Sequence, residues 1–302
     1  MNWVSLGLFS AFLLAIVAVL DKRLLAVHIT NIRTFYFLVG IVQVIIGIVV
    51  ILINPWSSDL TYNSLLFAIL SGLAWGIGLL ILFYAVSKLE VSRVTTITHT
   101  YPVFVTIIAV IFLGDKILPL QAFAILITVI GAAMIASIQT KSSISSGSKF
   151  MYLLVVIVSF LAAINNISFK IGLEDIQFWD LFAFRSVVLG LILLAAGLHY
   201  RILQDLNDLV HSRNGLKVFI FTEGALAPIA TITMFAALSL GPVSFVSTII
   251  SIRPFFVLLI SGILSIGFFK FLDEPFTLKT LPVKLVSVIL IFSGVTILTI
   301  RG

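Results

Sequence analysis

Two ionisable residues stand inside otherwise apolar runs in the second half of this 302-residue chain: Glu223 in VFIFTEGALAPIA and Arg253 in STIISIRPFFVLL. A charge at membrane depth costs about 2.5–3.5 kcal/mol on insertion scales, so each one retained there calls for a chemical reason. A buried carboxyl can exchange a proton, and a guanidinium facing a cavity attracts a carboxylate or phosphate. On straight helices the two stay apart. At 1.5 Å per residue, Glu223 lies about 28 Å before Pro242 and Arg253 about 16 Å beyond the same turn, an axial offset of about 12 Å. Direct pairing is therefore not expected unless a helix is broken or strongly tilted. Two levels of one water-filled cavity are the alternative, and packing with a snorkelling Arg and a neutral Glu is the bland reading.

Uncharged polar groups gather in the same way. Thr95, Thr96, Thr98, His99, Thr100 and Tyr101 form one run that leads into Pro102. A proline there removes a backbone hydrogen bond and leaves carbonyls free for a solute or a Thr hydroxyl, although Thr also bonds back to its own helix. Asn165 and Asn166 lie mid-span, where they bond to other helices or to a ligand. Trp75, well inside its span, either stacks on a substrate or packs. Lys170 and Arg185 fall on the same expected side as Arg253, and three cations converging there favour an anionic group. Their simpler role is architectural, like that of Lys22 and Arg33, with Lys binding helix carbonyls and Arg pairing with Asp180 or lipid phosphate.

The elements that must position these residues are apolar spans. Apolar residues make up 61% of the chain and charged ones 10%, and mean hydropathy is +1.27, which excludes a soluble single-core domain. A bilayer core needs about 20 apolar residues per helix. On that scale spans fall near 3–20, 34–53, 63–86, 92–113, 119–138, 150–171, 178–199, 216–240, 243–268 and 281–300. The first carries no basic n-region or cleavage site and is kept as a helix. Gln139 to Lys149, QTKSSISSGSK, reads as a linker, whereas Gly241-Pro242 leaves almost no loop, and Arg201 to Lys217 is placed at the interface.

The halves echo each other. Residues 83–115 return about 150 positions later as 234–274, with Tyr84-Ala85 against Phe235-Ala236, Ser92 against Ser244 and Pro102 against Pro254. Five spans per repeat place successive repeats in opposite orientations, a geometry of secondary transporters. Where the repeats differ, at Gly72 and Glu223, Tyr101 and Arg253, and Val17-Ala18 and Asn165-Asn166, specificity is expected. The fold expected is an all-α integral membrane protein with ten transmembrane helices in two inverted five-helix repeats around a central cavity, residues 1–138 and 150–302, joined by 139–149. Most of the 18 Lys and Arg residues follow odd-numbered spans, with little beyond Lys116, Lys170 and Arg301 opposite; the positive-inside rule then puts both termini outside.

These doubled features carry a resemblance. A Lys closes the first span of each half (Lys22, Lys170), an Arg lies in the second (Arg33, Arg185), a Pro in the fourth (Pro102, Pro254), and an acidic residue precedes the last (Asp115 in LGDKI, Glu274 in LDEPF). Over nearly its whole length the chain resembles the EamA-type transporters of the drug/metabolite transporter superfamily. The resemblance implies ten helices around a cavity lined by the first four of each repeat, a peripheral fifth, alternating access without ATP, and export of amino acids or other small metabolites. It also implies cytoplasmic termini, against the charge distribution. The usual Gly-Glu before the fifth span is here Gly114-Asp115 and Asp273-Glu274, the second after a longer approach around Ser265 to Lys270.

The function expected is secondary active export of a small polar metabolite, such as an amino acid or organic anion, with Glu223 as the proton-coupling carboxylate. The substrate-binding candidates are Trp75, His99, Tyr101, Asn165, Asn166, Glu223 and Arg253. Cavity or architectural roles fall to Lys22, Arg33, Lys170, Arg185, Pro102 and Pro254. A flippase, or a flippase subunit, for a lipid-linked head group is the alternative and would need a lateral opening. No nucleophile motif, metal-ligand spacing, GxxxxGK[ST] loop or cysteine is present, so catalytic residues, metal and cofactors are not expected. Expected partners are a small-molecule solute, membrane lipid, a proton as coupling ion and a second copy in a homodimer, without nucleic acid. The setting expected is the plasma membrane, as a multi-pass protein.

Overall fold

A computed structural model of the chain describes residues 2–29, 31–54, 62–88, 94, 97–137, 149–266 and 281–301. Among these residues the regular structure is entirely helical. In chain order the helices are α1 (Trp3–Arg23), α2 (Ile32–Ile53), α3 (Tyr62–Lys88), α4 (Tyr101–Phe112), α5 (Pro119–Ser137), α6 (Lys149–Gly172) and α7 (Phe178–Gly197). They continue with α8 (Ile202–His211), α9 (Arg213–Phe219), α10 (Ala227–Leu240), α11 (Val243–Ile250), α12 (Arg253–Ile266) and α13 (Leu281–Arg301). Seven described segments are long and apolar enough to cross a membrane: Trp3–His28, Ile32–Ile53, Tyr62–Ala85, Phe150–Gly172, Phe178–Gly197, Arg213–Leu240 and Pro282–Ile300. Large apolar side chains such as Leu52, Ile111, Phe123, Leu153 and Ile289 are exposed on the outside of the bundle, as lipid contact requires.

The helices depart from the simplest reading at three places, each with a local cause. The run expected as one span over 92–113 has a turn at His99 and Thr100, and the regular helix starts at Tyr101 with Pro102 in its first turn. The run expected over 243–268 likewise breaks at Ser251 and Ile252, just before Arg253-Pro254. Proline lacks the donor that would join it to the preceding turn, so both helices end and restart at the same relative point. The third departure is a pair of π-helical segments, Leu24–His28 after α1 and Ile220–Leu226 between α9 and α10. Pro228 follows the second and takes one donor from the ladder. The linker before Lys149, Thr95, Thr96 and Asp273-Glu274 lie outside the described residues.

Packing is carried largely by contacts between the halves. Helix α2 packs on α7, α3 on α6 and α7, α5 on α13, and α1 on α10, α11 and α12, while α4 packs on α6 and α11. The α2–α7 crossing is close because two glycines face each other. A Cβ on Gly40 would lie 2.9 Å from the Gly190 carbonyl oxygen, and one on Gly190 2.8 Å from that of Gly40. At the α10–α11 hairpin Gly241 and Pro242 are both extended. A Cβ on Gly241 would meet the Trp3 ring at 2.7 Å, so only glycine lets α1 reach this turn.

Candidate functional site

The two proline-marked breaks face each other in the middle of the bundle. The Tyr101 hydroxyl donates to the Ser247 carbonyl at 2.9 Å, and the His99 ring faces the Ser251 backbone. From Ser247 a chain of side-chain bonds runs into α6 and α7. Asn166 Nδ2 donates to Ser247 Oγ at 3.1 Å, Asn165 Nδ2 to Asn166 Oδ1 at 2.9 Å, and Arg185 Nε to Asn165 Oδ1 at 3.1 Å. Ser71 of α3 adds a bond to the same Asn165 oxygen at 3.0 Å. Asn165, Asn166, Ser247 and Arg185 are all buried. The Arg185 guanidinium also lies over the Phe235 ring, 4.5 Å from its centroid, which supplies a π-face where water is excluded.

On the other side of the breaks lies an ionisable cluster. The carboxyl of Asp21, in the last turn of α1, meets that of Glu223 in the π-helical turn before α10. Arg253, the first residue of α12, acts by charge on both carboxyls and on Tyr101 and His99. Among the described residues no direct ion pair joins Glu223 to Arg253, although the two act on each other by charge and each sits where its helix is irregular. Buried polar atoms with no hydrogen-bond partner border the cluster: Asp21 Oδ1, His99 Nδ1 and Thr222 Oγ1. Buried polar atoms are nearly always paired, so three such atoms around one group of charges mark a place equipped to hold something polar.

Several sequence-predicted residues lie elsewhere. Lys170 is held at the α10–α11 turn, where Nζ donates to the carbonyls of Leu238 at 2.8 Å, Gly241 at 3.1 Å and Ser239 at 3.4 Å. Three cations therefore do not converge on one cavity: Lys170 caps a helix end and Arg185 is engaged by Asn165. Arg185 is also too deeply buried to meet lipid phosphate, being 1% exposed. Lys22 and Arg33 are exposed. Arg33 lies in the first turn of α2 whereas Arg185 lies about two turns into α7, so the two are not equivalent positions. Trp75 packs with the apolar cluster that contains Phe35, Tyr36, Leu189 and Leu193. Pro102 and Pro254 stand in the first turns of α4 and α12. Of the threonines, Thr98 bonds back to the Val94 carbonyl and Thr100 to that of Ile97.

Asp21, Ser71 and Ser247 belong to the network and are not distinguished by the sequence reading. Asp21 hides in an Asp-Lys-Arg triplet that looks like the end of a span. The clue is the apolar run that resumes at Leu24, LLAVHI, and makes the triplet interior to a longer segment.

A second polar cluster joins α8, which lies outside the spans, to the start of α2. Asp205 of α8 accepts from Thr34 Oγ1 at 2.5 Å and Asn31 Nδ2 at 3.3 Å, and its Oδ2 is 3.1 Å from His199 Nε2. The Thr34 bond, reinforced by His199 and Asn31, holds the Asp205 carboxyl below the usual carboxylate range. This cluster fixes α8 against the start of α2 and borders a small cavity of about 40 Å³ lined by His28, Ile29, Asn31, Thr34, Asp205 and Asp208.

Comparison with known proteins gives the fold a context. A solved crystal structure, 13% identical in sequence, matches 99% of this chain and 97% of its own with a TM-score of 0.71, which establishes a shared fold. No curated protein matches the sequence. The model of the EamA-like transporter family matches residues 1–137 and again 149–300. The chain is an integral, multi-pass membrane protein that belongs to this family, membrane transporters of the drug/metabolite transporter type.

Proposed function

We propose that the chain is a secondary transporter that exports a small zwitterionic metabolite, such as an amino acid, by alternating access, with Glu223 carrying the coupling proton. The observation that carries the reading is the cluster where the breaks meet, with Arg253 beside two carboxyls. A guanidinium suits a carboxylate and the acidic pair suits an ammonium. An organic anion fits less well, because Lys170 and Arg185 are engaged elsewhere.

The inverted-repeat architecture of ten spans, with the halves at 1–138 and 150–302, belongs to the same proposal. Exchanging spans with their counterparts in the other half preserves several of the main contacts, although the packing of α3 on α7 finds only a slight counterpart between α2 and the π-helical turn at 220–226. The contacts α2–α7, α5–α13 and α4–α11 map onto themselves. The contact of α3 with α6 maps onto that of α10 with α1, and α4 with α6 onto α12 with α1. A pseudo-two-fold axis would generate these shared contacts. Broken helices in the membrane are tolerated where they line a cavity.

The test is proton-driven transport of a labelled amino-acid mixture in plasma-membrane-like proteoliposomes, with the wild type and Glu223→Gln. The expected result is uptake that follows the imposed pH gradient in the wild type and loses that dependence in the variant. Unchanged coupling in Glu223→Gln removes this residue from the mechanism.

A further inference from the structure

We propose that Asp21 and Glu223 form one shared proton site that fastens the first half of the protein to the second, so that loss of the proton unfastens them. This rests on the transport reading above and adds to it a second acid and a mechanical role. Asp21 comes from the end of α1, Glu223 from the π-helical turn before α10, and the two elements pack against each other.

The argument begins with donors and acceptors. An ionised carboxylate has no hydrogen to donate, so two carboxyls can share a hydrogen bond only if one carries a proton. With one proton the pair bears a single negative charge, matched by Arg253. Without it two negative charges stand in contact against one positive charge, the arrangement that acidic dyads avoid by keeping a proton between them. Beyond Arg253 the titratable groups facing this place are Tyr101 and His99. Lys22, the neighbour of Asp21, is exposed.

The surroundings favour movement over rigid structure. Asp21 Oδ1 is buried without a partner among the described residues. Both acids adjoin π-helical segments, Leu24–His28 and Ile220–Leu226, and such segments often sit at functional places where the helix ladder is already irregular. The contact therefore links two elements that can rearrange and binds them only when a proton is present.

Infrared spectroscopy of the full-length reconstituted protein tests this at a pH where exposed carboxylates are ionised. The wild type should show a protonated-carboxyl band that vanishes in both Asp21→Asn and Glu223→Gln, because an amide supplies the hydrogen that the remaining carboxylate needs. Asp21→Glu and Glu223→Asp keep two carboxyls and should retain the band, and melting curves identify any variant that has lost its fold. A band that survives in Asp21→Asn assigns the proton to Glu223 alone, which overturns the shared site and leaves the transport reading standing. A band that survives in Glu223→Gln, or none in the wild type, overturns the shared site as well. Loss of the band in both variants with unchanged proton coupling in Glu223→Gln supports the shared site and refutes its use in transport.

Discussion

Replacing Asn165 by Leu probes the centre of the polar chain while keeping the number and branching of side-chain heavy atoms. The Asn165 side chain accepts from Arg185 Nε and Ser71 Oγ and donates to Asn166. The two neutral bonds are worth about 0.6 kcal/mol each by the average for membrane helices. The loss at Arg185 is larger, because a charged donor that is 1% exposed keeps only the Phe235 ring among the described residues, and bonds to charged groups contribute about 1.5–3 kcal/mol. The expected destabilisation of Asn165→Leu is therefore about 3–4 kcal/mol. Reversible denaturation in detergent micelles measures it. The double variant Asn165→Leu/Arg185→Met removes the stranded charge together with its partner and should recover about 1–2 kcal/mol relative to additivity. A single-variant loss under about 1 kcal/mol, or strict additivity in the cycle, refutes the view that Asn165 holds a buried guanidinium.

Two further outcomes follow from the packing and the outer cluster. Gly40→Ala places a Cβ 2.7 Å from the Leu194 nitrogen and 2.9 Å from the Gly190 oxygen, both backbone atoms. The α2 and α7 helices must then part, at a cost of about 1–3 kcal/mol; a melting temperature equal to that of the wild type contradicts this. Asp205 has a depressed folded-state pKa, so its contribution to stability is present above the unfolded value of about 3.9 and is lost as pH falls through the lower folded value. Melting curves from pH 6 down to about 2 should fall more steeply for the wild type than for Asp205→Asn, and parallel curves refute the assignment.

Much of the helical layout is legible in the sequence because a bilayer imposes a length and a composition on every span. The doubled proline is legible too, since it removes a donor wherever it stands, and both helix breaks occur directly before the Tyr-Pro and Arg-Pro pairs. What the sequence hides is geometry that depends on irregular helix. Ideal rise puts Glu223 and Arg253 at different levels, and it hides that one sits in the π-helical turn at 220–226 and the other just after the break at 251–252. Asp21 is hidden by its basic neighbours, although the apolar residues after Arg23 continue the segment. Aligning the repeats by residue type pairs Arg33 with Arg185, yet one is exposed near a helix start and the other buried two turns in. Type alone does not reveal depth.

The central claim is that the site around Glu223 opens in turn to each side of the membrane. The chain contains no cysteine, so a single Thr222→Cys substitution beside the acidic pair provides a unique reporter. Membrane-impermeant maleimide applied to either face of oriented proteoliposomes, across a range of pH, measures its access. The account predicts labelling from both faces, with the ratio shifting as the pH changes; labelling from one face alone, at a ratio indifferent to pH, contradicts it.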